Sequence, residues 1–177
     1  MILLKNFLDN LNLLTEIDIN KINLIKVEKY QDNIDINEQF KIYFTTSKKI
    51  NINDLDQLCR SVGWIERPVT KVKTAIKNSF ITISLFYNNN NKIRLIGFAR
   101  ATSDYSFNAI IWDVVVHPTF QGKGLGKLLI KKIIKYLKNR NINIIRLFAD
   151  SQVIEFYKTL GFLVNPYNTR AMFWHPK

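Results

Sequence analysis

Apolar and polar positions in the middle of the chain alternate with two different periods. Residues 80–87 and 93–102 alternate as half-buried strands do, and the Asn-rich stretch 88–92 between them predicts a hairpin. Residues 103–108 supply a second turn. Residues 109–116 form an apolar run that reads as a third strand, and Pro118 helps to end it. From Lys123 to Arg140 the period becomes helical. Leu125, Leu128, Leu129, Ile133, Tyr136 and Leu137 make one apolar stripe, with Lys127, Lys131, Lys135 and Lys138 mostly off it. Residues 142–149 are a short apolar strand, which an ordinary crossover makes parallel to 109–116. Three antiparallel strands followed by strand–helix–strand predict a mixed sheet in an α/β (α+β) protein.

Shorter elements flank this unit. Residues 40–45 alternate like a strand. Asn53 or Asp54 is placed to cap a helix carrying Leu55, Leu58, Cys59 and Val62, which Gly63 ends. Residues 64–68 are a break, and 69–79 read as a second helix with Val72, Ala75 and Ile76 on one face. Residues 151–160 predict a helix closed by Gly161, and 171–174 a final strand. Residues 1–36 read as an extension to a domain over 37–177. In it Leu3, Leu4, Phe7, Leu8, Leu11 and Leu14 recur at helical spacing.

Composition narrows the class. The 177 residues are 47% apolar and 12% aromatic, which fits one globular domain rather than disorder. No apolar run approaches the roughly 20 residues that span a bilayer, so no membrane association is expected. The one cysteine, Cys59, excludes an internal disulfide and reads as a buried thiol. No Cys/His cluster points to a metal. The net charge of +12 favours anionic partners. The lysines are scattered and no nucleic-acid motif appears, so the charge reads as a solvated basic surface that also attracts phosphates. A basic nucleic-acid module is the competing class.

The chemistry is signalled by Gln121, Gly122, Lys123, Gly124, Leu125 and Gly126, between the strand and the helix. The free N–H groups of a helix start, with their partial positive charge, suit a phosphate, and glycines let backbone approach it. A P-loop does not fit: Gln121 stands where its first glycine belongs, and Leu128 follows Lys127. The glycine spacing also excludes a dinucleotide fingerprint. Gln121, Gly124 and Gly126 do fit Gln/Arg-x-x-Gly-x-Gly/Ala, and here the chain resembles the acyl-CoA pyrophosphate loop of the GNAT N-acetyltransferases. Two parallel strands that diverge would let a pantetheine arm run along the backbone of Val114, Val115 and Val116. The same loop serves a non-catalytic acyl-CoA sensor equally well.

A second constellation is Asp150 with Tyr157. Seven residues apart on a helix places them on one face, about 10 Å along its axis. Tyrosine, with an ordinary pKa of about 10, stays protonated at neutral pH and can act as an acid. An amine acceptor must lose a proton, and Asp150 and Asp113 are the candidate carboxylate bases. Helix capping is the plain alternative for Asp150, and ion pairing for Asp113. His117 is a third candidate by pKa, though His-Pro closing a strand reads as a surface turn.

From Val62 onward the resemblance becomes closer. Val62-Gly63-Trp64, residues 97–104, residues 111–116, residues 147–157 and Met172-Phe173-Trp174 look like the chloroplast GNAT enzymes of plants and algae, a group that includes plant serotonin N-acetyltransferase. The resemblance implies a GNAT fold: a mostly antiparallel sheet, a central parallel pair splayed for CoA, and helices on both faces. It implies acetyl-CoA as donor, with Gln121 to Lys127 and Val114 to Val116 holding it. It implies acceptors that are small arylalkylamines or protein amino groups. Asp150 and Tyr157 are then at the reaction centre, with Trp112, Asp113 and Trp64 on the acceptor side. His117 departs from the acid that plant members carry there. The location implied is the plastid stroma, from a plastid-encoded gene given the Ile/Asn/Lys-rich composition, with the cytoplasm as the alternative. A homodimer is compatible with the sequence.

Overall fold

The computed structural model describes residues 15–17, 41–89, 92–168 and 171–174. The helical pattern over residues 3–14 lies outside them. Six strands form one sheet in chain order: β1 (Thr15–Ile17), β2 (Lys41–Thr45), β3 (Ile81–Asn89), β4 (Lys92–Ser103), β5 (Asn108–Val116) and β6 (Ile144–Leu147). All neighbours are antiparallel except β5 and β6, which are parallel. The mixed sheet is therefore the one the alternation predicts, widened by β1. Thr15, Glu16 and Ile17 pair with Phe44, Tyr43 and Ile42.

Three helices pack on the sheet: α1 (Ile52–Arg60), α2 (Val69–Asn78) and α3 (Leu125–Lys138). The cap of α1 is Asn51, not Asn53 or Asp54. Its side-chain oxygen accepts from the Asn53 N–H at 2.9 Å while its own backbone stays extended, so Ile52 already lies inside the helix. Leu55, Leu58 and Cys59 of α1 and Ile76 of α2 pack with Leu95, Phe98 and Val115 of the sheet. The stripe on α3 holds with one change of register. Leu125, Leu129, Ile130, Ile133 and Leu137 are buried, and Leu128 and Tyr136 lie at its margin. The β4–β5 turn is organised by Asp104, whose Oδ1 accepts from the N–H groups of Ser106, Phe107 and Asn108, each at 2.9 Å. These bonds hold its carboxyl far below the ordinary aspartate range.

Contacts divide the chain into two compact units, one ending at Leu147 and one running from Phe148. In the second, a short 3₁₀ turn (Ser151–Val153) leads into α4 (Ile154–Lys158), and Gly161, at φ +91°, follows the helix. The expected strand over 171–174 is not formed. Among the described residues this segment joins no sheet, and Met172 and Trp174 are 94% and 85% exposed. Apolar residues give strand propensity, but without a partner edge for the ladder bonds that propensity makes no strand.

Phe98 is fully buried in the cluster between β4, α1 and α2. Phe98→Ala is expected to lower unfolding free energy by about 3–5 kcal/mol, read from the denaturant midpoint. A loss below about 1 kcal/mol would mean that this cluster is not a continuous core.

Candidate active site

The strand β5 is longer than its parallel partner. Pairing with β6 runs from Asn108↔Ile144 to Ile111↔Leu147 and stops there. On that side, the remaining residues of β5, 112–116, face no strand among the described residues. On the other side β5 stays paired with β4, but with a bulge. Asp113 and Val114 together stand opposite Ala99, and Asp113 adopts φ +54°. The bulge bends β5 at the point where β6 leaves it. Pairing thus stops because β6 itself ends at Leu147, and this leaves backbone donors and acceptors near Val114 and Val115 along one edge.

The glycine turn follows directly. His117 leads into a 3₁₀ turn (Pro118–Phe120), and the Gln121 side-chain amide donates to the Val116 carbonyl at 2.9 Å. Gln121 therefore ties the turn back to the end of β5. Gly122 and Gly124 have φ of +71° and +79°, a region costly for residues with a Cβ. A Cβ added at Gly122 would meet nothing within 4 Å, so the backbone conformation, not crowding, requires glycine there. Gly124 is the N-cap of α3 and no side chain caps the helix. The first N–H groups of α3, around Leu125, Gly126 and Lys127, have no acceptor inside the helix. Free N–H groups at a helix start suit an anion. The Lys123 ammonium donates to the Thr119 carbonyl at 2.6 Å, which steadies the turn. These residues fit the diphosphate and the amide-bearing arm of coenzyme A. Among the described residues no group of His, Cys, Asp and Glu has the arrangement of a metal site.

Asp113 sits between two guanidinium groups. Arg67 Nη1 donates to its Oδ1 at 3.0 Å and Arg100 Nε donates to its Oδ2, and the Asp113 side chain is 17% exposed. Arg67 also reaches Cys59 Sγ at 3.5 Å and lies 5.8 Å from the Trp64 ring centroid. Burial raises the Cys59 thiol pKa, so Cys59 is a buried, protonated structural group. Trp112 donates its indole N–H to Thr102 Oγ1 at 2.9 Å, and Arg100 lies 5.9 Å from its ring centroid. Trp64, Trp112 and Asp113 are thus brought into one cluster, joined by Arg67 and Arg100. Sequence reasoning missed both arginines. They lie 46 and 13 residues from Asp113, and no local pattern marks them.

His117 is a fixed turn residue. Its Nε2 accepts from Arg94 at 2.7 Å, since a guanidinium can only donate, and its Nδ1 lies 2.9 Å from Thr119 Oγ1 and faces the Thr119 N–H at 3.4 Å. Burial and the Arg94 charge lower its pKa and keep it neutral.

In the second unit Asp150 is exposed and precedes the 3₁₀ turn, and its side chain caps nothing there. Tyr157 is half-buried against Phe156 and Phe162, with ring centroids at 5.0 and 5.8 Å. Among the described residues its hydroxyl makes no hydrogen bond. Burial, and then the Asp150 carboxylate, push the tyrosine pKa above its ordinary value.

Residues 50–162 match the acetyltransferase (GNAT) family. The chain belongs to the GNAT acetyltransferases. As a GNAT enzyme it is an acetyl-CoA-dependent N-acetyltransferase. It is 48% identical over 177 residues to the uncharacterized N-acetyltransferase ycf52 of Pyropia yezoensis, across the full length of both chains. It is 50% identical over 143 residues to the histone acetyltransferase TAP1 of Glycine max, covering 77% of this chain and 62% of that one. Chloroplastic GNAT proteins of Arabidopsis thaliana are among its further relatives. The crystal structure of SA2161 from Staphylococcus aureus superposes with a TM-score of 0.65 at 23% identity, over 76% of this chain and 99% of that one. That likeness concerns the fold.

For this GNAT loop, Gly124→Val is expected to weaken acetyl-CoA binding at least tenfold, about 1.4 kcal/mol, in a calorimetric titration. Unfolding should shift by only about 1–2 kcal/mol, from the left-handed backbone alone. An unchanged Kd would place the diphosphate elsewhere.

Proposed function

We propose that this enzyme acetylates the primary amine of an arylalkylamine such as serotonin, by direct attack within a complex of both substrates. The observation that carries the reading is the pairing of an uncapped, glycine-opened helix start with the unpaired edge of β5. Gly122 to Lys127 would hold the diphosphate and Val114 to Val116 the pantetheine arm. Bound acetyl-CoA supplies an activated acetyl thioester. Asp150 takes the proton from the ammonium of the acceptor, and its carboxylate is not spent on capping. Tyr157 keeps a proton on Oη and delivers it to the departing sulfur, and its oxygen then recovers the second proton that the nitrogen sheds as the amide forms. Its raised pKa suits that role, because the acid form then persists to higher pH than in an ordinary tyrosine. Asp113, with both oxygens engaged by arginines, orders the acceptor side rather than accepting a proton.

The aromatic and ionic cluster of Trp64, Trp112 and Asp113 supports a small aromatic acceptor. The net charge of +12 supports it too, because such a field repels a lysine-rich tail more strongly than a singly charged amine. A protein amino group is the second reading, favoured by the name of the histone acetyltransferase relative. A plastid location is part of the proposal and rests on the chloroplast resemblance of the motifs and on chloroplastic relatives.

Thiol release from acetyl-CoA in the presence of serotonin or tryptamine is the expected activity. Release only with protein acceptors would overturn the arylalkylamine assignment in favour of the second reading. Tyr157→Phe should lower kcat roughly 10²-fold with acetyl-CoA affinity within about twofold. In the wild type the alkaline fall of kcat should lie above pH ~10, and it should vanish in the variant. Unchanged turnover in Tyr157→Phe would remove Tyr157 from the chemistry.

A further inference from the structure

We propose that Arg67 is a positioning residue of the transfer site, which fastens the linker between α1 and α2 to the bulge of β5. The inference rests on the reading of the chain as an amine acetyltransferase and extends it to a residue with no place in the motifs above.

The linker, residues 64–68, has little packing of its own. Ile65 is 89% exposed and Trp64 37%. The linker residues Glu66 and Arg67 line a cavity of about 170 Å³ together with apolar residues, among them Leu55 and Val72, and the polar Asp56 and Arg60. Apolar contact therefore does not fix the segment in place. Two of its polar ties are weak or local. The Trp64 N–H donates to the Cys59 carbonyl at the end of α1. Glu66 pairs with Arg60 where both side chains are more than half exposed, and such a pair contributes little. The third tie is Arg67, which spans 46 residues to Asp113.

The other end of that tie is the strained point of β5. Asp113 holds φ +54° in the bulge, a left-handed conformation that residues other than glycine adopt only where their surroundings hold them there. Two guanidinium groups hold its carboxylate, Arg100 from β4 and Arg67 from the linker. Arg67 uses its planar fork at both ends: Nη1 faces Asp113 and Nη2 faces Cys59 Sγ. Its guanidinium also lies 5.8 Å from Trp64. One side chain thus sets the position of Trp64 relative to Asp113, the two residues proposed to meet the acceptor. A lysine at this place can offer its charge to Asp113 but has no second arm for the thiol.

Steady-state kinetics with tryptamine test this. Arg67→Ala should raise KM for the amine about tenfold, with kcat within about twofold and acetyl-CoA affinity unchanged. Arg67→Lys should fall between the two. Wild-type amine KM in Arg67→Ala overturns the proposal. Hydrogen exchange gives an arm that needs no activity. Arg67→Ala and Asp113→Asn should each speed exchange at residues 64–67 about fivefold or more, with the amides of α3 unaffected. Unchanged exchange in both variants also overturns it. A wild type that turns over no amine would count against the proposed function, while the exchange result would still decide whether Arg67 holds the linker.

Discussion

At Ile111 the sheet stops closing. Up to that residue β5 is paired on both sides, and beyond it β6 is gone while β5 continues to Val116. Backbone groups along a strand edge need partners, from water, protein or ligand, and an edge left open where a neighbouring strand ends is no exception. Here the bulge at Asp113 and Val114 turns the strand at the same place, and the glycine turn begins five residues after Val116, at Gln121. A strand that outruns its neighbour and a helix that starts without a side-chain cap thus follow one another along the chain.

Much of what holds this geometry is polar and tertiary. The bulge is pinned by arginines from β4 and from the linker, and the turn by Gln121 reaching back to the Val116 carbonyl. Charge-assisted bonds to a partly buried carboxylate are stronger than exposed pairs, because less water competes for them. The apolar core does a different task. Phe98, Val115 and the buried faces of α1 and α3 fix where β4 and β5 lie, and the ion pairs then fix the last few residues of β5.

The legible part of the sequence was the part encoded by local periodicity. Alternation gave β3, β4 and β5, the helical stripe gave α3, and the change of period between them located the glycine turn. Gly124 could be read because it matches the Gln/Arg-x-x-Gly-x-Gly/Ala pattern, and its left-handed N-cap conformation shows why few other residue types can stand there. What escaped was non-local. Nothing near Asp113 in the chain announces Arg67, and nothing in the run 109–116 announces a bulge. Asp104 was only part of a polar turn until its carboxylate was seen accepting three N–H groups. The cap of α1 lies two or three residues before the expected Asn53 or Asp54, because Asn51, Asn53 and Asp54 all have capping side chains and only the backbone geometry chooses among them. The segment 171–174 was misread because its apolar residues matched a strand that has no edge to join.

The most direct test of this account is a crystal structure of the chain with acetyl-CoA. The account predicts diphosphate oxygens on the backbone N–H groups of residues 122–126, and pantetheine amides bonded to β5 beyond Ile111. A diphosphate bound away from the start of α3, or a β5 edge covered by another protein segment in the complex, would contradict it.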